Sequence, residues 1–160
     1  MDTATRSRLI DRYREGPAAV RAALAGATPG ELDARPAAHE WTAREIVHHL
    51  ADSETTSTIR LRRLLAEDNP VIVGYDQDEF ARRLRYDRPL ERSLAVLDAV
   101  RAANAELLEL LVEDDWARTG THSEDGPYGV TTWLELYATH AHDHAEQIRE
   151  ARQAARTLAE

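Results

Sequence analysis

Histidine is the residue type best placed to do chemistry in this chain, with seven copies at positions 39, 48, 49, 122, 140, 142 and 144. Cysteine is absent, which rules out a disulfide, a thiolate metal site and a cysteine nucleophile. Any metal ion must therefore be held by His, Asp or Glu. Trp133, Tyr137, His140, His144, Ile148, Ala151, Ala155 and Leu158 recur at intervals of four or three, which is one continuous helical stripe. Two histidines thus interrupt an otherwise apolar, core-facing row. Four residues apart, they stand one above the other, about 6 Å apart along the axis. From there two imidazoles can reach one ion, as in the paired His of zinc-binding helices.

A third imidazole is available upstream. Ile46 and Leu50 give a second helix a core face, and Leu61, Leu64 and Leu65 resume it. Between them runs the polar stretch Asp52-Ser53-Glu54-Thr55-Thr56-Ser57-Thr58. An inward face that turns polar costs stability unless it lines a site or water. His49 sits just before that stretch and can face inward with Ile46 and Ser53. A single inward histidine is usually a hydrogen-bonded core residue; a pair on a clean stripe with a third beside a polar patch favours an ion. Three neutral histidines with an open fourth position form a catalytic zinc-type site. Such an ion lowers the pKa of a bound water or thiol and holds it as an anion.

The other histidines are expected to lie elsewhere. His48 is rotated by about 100° from His49 and should face away from the site. His142 is about 200° from His140 and is expected in solvent. His39 and His122 fall in loops. Asp52 and Asp143 are candidates to orient an imidazole, although a solvated carboxylate is the simpler reading of each. Trp41, Tyr75, Trp133 and Tyr137 either line a pocket mouth or pack as core. Glu113-Asp114-Asp115 reads as a helix exit.

These side chains need helices to position them. The chain has 160 residues, 42% hydrophobic and 31% charged, which suits one domain spanning 1–160. Residues 3–15 read as helical, and Gly16-Pro17 interrupts before a second piece to Leu24, as one kinked helix or two collinear ones. Thr28-Pro29-Gly30-Glu31-Leu32 reads as a short capped turn. Thr42-Ala43-Arg44-Glu45 is a capping box that opens a helix to about Glu67, which Asn69-Pro70 stops. A short helix is expected at Asp78–Leu84. A long one follows over roughly Leu90 to Val112, with Val96, Val100, Ala103, Leu107 and Leu111 on its inner face. Residues 114–131 form a connection long enough to suggest a functional or hairpin-like excursion. A second capping box, Thr132-Trp133-Leu134-Glu135, opens the last helix. No segment of useful length has strand periodicity, so an all-α, up-and-down four-helix bundle is the economical architecture.

The net charge of −9 and the scattered arginines exclude the basic face that nucleic acid requires. No stretch approaches the roughly 18 apolar residues of a membrane span. The segment Met1 to Gly16 is charged throughout and lacks an apolar signal core. A cytoplasmic protein is expected.

Four stretches resemble a known family. Glu40-Trp41-Thr42-Ala43-Arg44-Glu45-Ile46-Val47-His48-His49-Leu50-Ala51-Asp52-Ser53-Glu54 resembles the first metal-ligand helix of the DinB-like superfamily. Tyr137-Ala138-Thr139-His140-Ala141-His142-Asp143-His144-Ala145-Glu146-Gln147-Ile148 resembles its second. Leu32-Asp33-Ala34-Arg35-Pro36, and Asn69-Pro70 followed by Gly74-Tyr75-Asp76, are similar to the family as well. The resemblance implies an up-and-down four-helix bundle, often a homodimer, with a Zn- or Ni-type divalent ion on His49, His140 and His144. Some relatives are S-transferases that join bacillithiol or mycothiol to electrophiles, one is a mycothiol-dependent isomerase, and many have no known activity. Three functions follow as expectations. The first is a thiol S-transferase acting with a low-molecular-weight thiol on an electrophile. The alternatives are a metal-dependent hydrolase and a non-enzymatic protein that binds metal or a small ligand.

Overall fold

The computed structural model describes residues 1–159; Glu160 and the side chains of Leu158 and Ala159 lie outside the described residues. Four long helices form the expected bundle: α1 (Thr3–Leu24), α3 (Ala43–Ala66), α5 (Glu91–Glu109) and α7 (Val130–Ala159). Short elements connect them: α2 (Pro29–Asp33), β1 (Val71–Ile72), α4 (Gln77–Arg83), α6 (Glu113–Trp116), β2 (Thr119–His122) and β3 (Gly126–Gly129).

Local chemistry sets several of the boundaries. Thr42 accepts from Glu45 N while the Glu45 carboxylate accepts from Thr42 N, which closes the capping box that starts α3. Thr28 and Glu31 do the same for α2. Asp76 caps α4 through Glu79 N. α7 departs from expectation. It begins at Val130, directly out of β3, so Thr132 lies inside its first turn rather than capping it. The N–H of Val130 donates to Arg118 O, so the hairpin delivers the chain into the helix without a side-chain cap.

The helices are not simply alternating. α1 packs against α7 and α5, and α3 packs against the same two, so consecutive α1 and α3 lie on a diagonal. Residue pairs give the directions. His48 meets Ser93, Glu54 meets Arg101 and Thr58 meets Asn104, so α3 and α5 run parallel. His142 meets Arg12 and Arg152 meets Ala23, so α1 and α7 run parallel. The bundle order is therefore up, down, down, up. A parallel pair needs a return path, and residues 67–90 supply it. They leave α3 through β1 and climb back along it, with Tyr86 Oη donating to Asp52 at 2.7 Å.

The connection at 114–131, expected as a functional or hairpin-like excursion, is α6 followed by a β2–β3 hairpin. β1 adds in parallel to β2, giving a three-stranded sheet in the order β1-β2-β3. Periodicity does not reveal strands of two and four residues.

Two apolar clusters fill the bundle. One, at the sheet end, holds Tyr13, Leu61, Leu64, Trp133 and Leu134. The other holds Val20, Ile46, Leu50, Leu97 and Ile148. Between them is a buried polar layer. Arg101 pairs with Glu54 at 2.6 Å, both essentially without solvent exposure. Tyr13 Oη donates to Glu54 at 2.7 Å, and Asn104 donates to Tyr13 Oη at 3.0 Å.

This layer explains how α1 passes through Pro17 as one helix. Proline lacks the N–H that would bond Tyr13 O four residues earlier. Arg101 Nη1 donates to that carbonyl at 2.6 Å, and its Nη2 donates to Tyr137 O at 3.0 Å. Gly16 makes room for the guanidinium, since a Cβ there would stand 2.2 Å from Arg101 Nη1. The same layer corrects the expected face of α5. Its buried row is Ser93, Leu97, Arg101, Asn104, Ala105 and Leu108, and Val96 is exposed. The polar residues of that row belong inside because α1, α3 and α7 satisfy them.

Among the described residues no helix is long and apolar enough to cross a membrane.

Candidate metal centre

The buried layer continues into the histidines. α3 presents His49, and α7, antiparallel to it, presents His140 and His144 one turn apart. One ligand-capable nitrogen from each lies within 4.8 Å of the others. The Nε2 atoms of His140 and His144 face each other at 3.1 Å. Nitrogen ligands of a tetrahedral ion with bonds of about 2.05 Å stand roughly 3.3 Å apart. The α7 pair matches that spacing, and His49 closes the set with a small side-chain adjustment.

The hydrogen bonds are compatible with a metal donor set. His144 Nδ1 donates to Gln147 Oε1 at 2.7 Å, which leaves Nε2 as a bare lone pair aimed at the centre. The Nδ1 atoms of His49 and His140 are buried without partners. Either tautomer of His140 therefore leaves one ring nitrogen unmet, at a cost of about 1–3 kcal/mol. An ion on the facing Nε2 atoms would hold His140 as its Nδ1–H tautomer and replace a contact of two nitrogens 3.1 Å apart. Trp41 packs on His49 with ring centroids 4.6 Å apart, and Tyr137 packs on His140 at 5.6 Å.

Electrostatics keeps these rings neutral. Burial, with the nearby His144, pulls the His49 pKa down to about 3. Burial, with His144, His49 and Arg101, pulls His140 down to about 2. Burial also lowers His144 and the separate His48. Neutral imidazole is the ligating form, so at neutral pH His49 and His140 have no proton to displace. In the unfolded chain these groups titrate near 6.5 and take up protons that the folded chain refuses. The metal-free protein is therefore fully stable above pH 6.5 and loses stability as the pH falls below it. Each fully depressed histidine contributes about 1.4 kcal/mol of loss per pH unit. Urea midpoints between pH 7 and pH 5, above the carboxylate range, should fall steeply; a triple His→Ala variant should show a shallower slope.

The remaining histidines do not join the centre. His48 is fully buried but points at α5, with Nδ1 2.7 Å from Ser93 Oγ and Nε2 donating to Arg88 O at 2.9 Å. His142, expected in solvent, is half-buried, and its Nε2 donates to Arg12 O at 2.9 Å because α1 packs on that side of α7. His122, expected in a loop, is buried on β2, with Asp125 at 3.1 Å. His39 is exposed on the loop before Trp41.

Neither aspartate orients a ligand. Asp52 accepts from Tyr86, and Asp143 is exposed. Gln147 has that role. Its signal in the sequence was its position three residues after His144, on the same helical face. Gln147→Leu is expected to weaken metal binding by roughly 10–100-fold without unfolding the chain, read by competition with a chromogenic chelator. Trp133 is plain core, its Nε1 donating to Ser57 O at 2.9 Å.

Comparison with known proteins shows the family. The sequence profile of the DinB superfamily matches residues 12–148. The chain belongs to the DinB superfamily. A relative from Oceanobacillus iheyensis, provisionally named a metal-dependent hydrolase, is 36% identical over 118 residues, covering 74% of this chain and 69% of that one. Another with the same provisional name, from Halalkalibacterium halodurans, is 29% identical over 71% of this chain and 66% of its own length. These matches span about two thirds of each relative. Among solved structures, YfiT from Bacillus subtilis superposes with a TM-score of 0.90 at 28% identity, covering 99% of this chain and 90% of that one. It is described as a probable metal-dependent hydrolase with an unusual four-helix bundle topology.

Two cavities reach the DinB histidines. The larger, of about 700 Å³, reaches His144 and Gln147 and is flanked by Trp41, Glu40 and Glu150. The smaller, of about 220 Å³, reaches His49 and His140 from the sheet side.

Proposed function

We propose that this DinB protein is a metal-dependent hydrolase whose ion is held by His49, His140 and His144. The observation that carries the reading is the convergence of three imidazoles, with unmet buried nitrogens, beside two cavities. When bound, a divalent ion on three neutral ligands supplies a water of lowered pKa and polarises a substrate oxygen. The chain's own contribution is to hold the rings neutral by burial, to fix His144 through Gln147, and to wall the centre with Trp41 and Tyr137. An all-imidazole donor set suits zinc or nickel.

A second reading, thiol S-transfer, is supported by the larger cavity. Its volume can take the body of a cosubstrate thiol beside His144, and the chain supplies no thiol of its own. The homodimer implied by the family resemblance and the cytoplasmic location expected from the sequence belong to this proposal too.

The test is a panel assay of zinc- and nickel-loaded protein. It pairs chromogenic esters, amides and phosphate esters with a second arm of low-molecular-weight thiols plus an electrophile. Hydrolysis that disappears in His49→Ala supports the first reading. Thiol-dependent turnover alone selects the second, and no turnover above His49→Ala in either arm rejects both.

A further inference from the structure

The smaller cavity contains two polar groups that the metal centre does not use. Tyr128 is 4% exposed, and its hydroxyl stands beside Arg60 with no acceptor for its own proton. Arg60 Nε is likewise buried without a partner. The rest of the Arg60 side chain is held in place. Its Nη2 donates to Val73 O at 2.9 Å, and its Cζ sits 5.8 Å from the Tyr75 ring centroid. The buried cations Arg101 and Arg152 have Glu54 and Glu31 as counter-ions. Arg60 has no carboxylate partner among the described residues; Val73 O is its hydrogen bond.

A partly desolvated guanidinium without a counter-ion is costly, and so is a buried hydroxyl without an acceptor. One acceptor with a negative charge would satisfy both. Arg60 offers a planar donor that matches carboxylate geometry. Burial and the nearby Tyr137 push the Tyr128 hydroxyl pKa up, so it stays a donor. The anion is best matched by a single charge: Glu124 and Asp125 line the same cavity and would repel a dianion. The volume of about 220 Å³ limits the group to a short chain.

We infer that the substrate carries a carboxylate on a short chain, held by Arg60 and Tyr128, so that its adjoining part lies against His49 and His140. This assignment of substrate class rests on the reading of the three histidines as the catalytic metal ligands, and its test is independent of that reading.

The experiment uses the metal-free protein and follows the Arg60 Nε–H and Tyr128 signals by NMR during titration with butyrate. Butyramide serves as the neutral isostere and methyl phosphate as the dianion. Butyrate should shift both signals saturably, butyramide should not, and methyl phosphate should bind more weakly. Arg60→Gln should weaken butyrate binding roughly tenfold or more, Arg60→Lys less, and Tyr128→Phe several-fold. Circular dichroism confirms that each variant is folded. Equal shifts with butyramide, an unmoved Arg60 signal, tighter binding of methyl phosphate, or wild-type affinity in folded Arg60→Gln would each overturn the assignment. The same titration in His144→Ala separates the two claims: His144 lines the other cavity, so butyrate binding should persist there while metal binding is lost.

Discussion

Substituting alanine for His49 is expected to remove metal from this protein, whereas the same substitution at its neighbour His48 is expected to leave metal bound and weaken the fold. The two residues are adjacent in sequence and both are buried. His49 aims at His140 and His144, with ring centroids 5.5 and 4.8 Å away. Losing one of three ligands should cost more than the roughly 10–100-fold typical of an orienting partner. Elemental analysis after dialysis should therefore fall from about one ion per chain towards none. His48 instead links α3 to Ser93 and to Arg88 O. Removing it leaves the buried Ser93 hydroxyl without its partner, at about 1–3 kcal/mol, while Arg88 O keeps Arg44, with the metal content unchanged. Full metal retention in folded His49→Ala would contradict the ligand assignment. So would metal loss in folded His48→Ala.

The second large effect concerns the buried ion pair. Arg101→Met should destabilise the protein by about 3–5 kcal/mol, because the Glu54 carboxylate would be left without its counter-charge in the core. Burial alone already pushes the Glu54 pKa up against the pull of Arg101. The variant also strips Tyr13 O of the donor that replaces Pro17's missing N–H. The double variant Glu54→Leu/Arg101→Met removes both charges together. It should recover much of the loss, but not all, because Tyr13 O remains unpaired. Urea unfolding of the three proteins measures this. Equal stability of the single and double variants would show that the charge pair is not what the core depends on.

Some of this architecture is written in short stretches of sequence. The Thr42/Glu45 and Thr28/Glu31 boxes close within three residues, so α3 and α2 start where the sequence indicates. The row from Trp133 to Ala151 is set by helical geometry alone, and it places His140 and His144 together whatever surrounds them. His49 needed more: its inward direction follows from Ile46 and Leu50, and the family motif singles it out from His48.

Other features depend on partners far along the chain. The inner face of α5 reads wrongly from hydrophobicity, because its buried Arg101 is satisfied by Tyr13 O, 88 residues away, and by Glu54, 47 residues away. Thr132 has the pattern of a cap, yet the hairpin starts α7 two residues earlier. The parallel run of α3 and α5 depends on a return path that no local pattern specifies. Asp52 looked able to orient a ligand until the fold gave it Tyr86.

His49, His140 and His144 divide along the same line. Their sequence alone determined that two of them share one helical face and that any metal must be held without thiolate, because helical spacing and the absence of cysteine need no tertiary context. Only the tertiary structure decided that α3 runs antiparallel to α7 beside them, that Gln147 fixes His144, and that Arg60 and Tyr128 face the same cavity. Those relations are contacts between separate elements, and packing, not spacing, creates them.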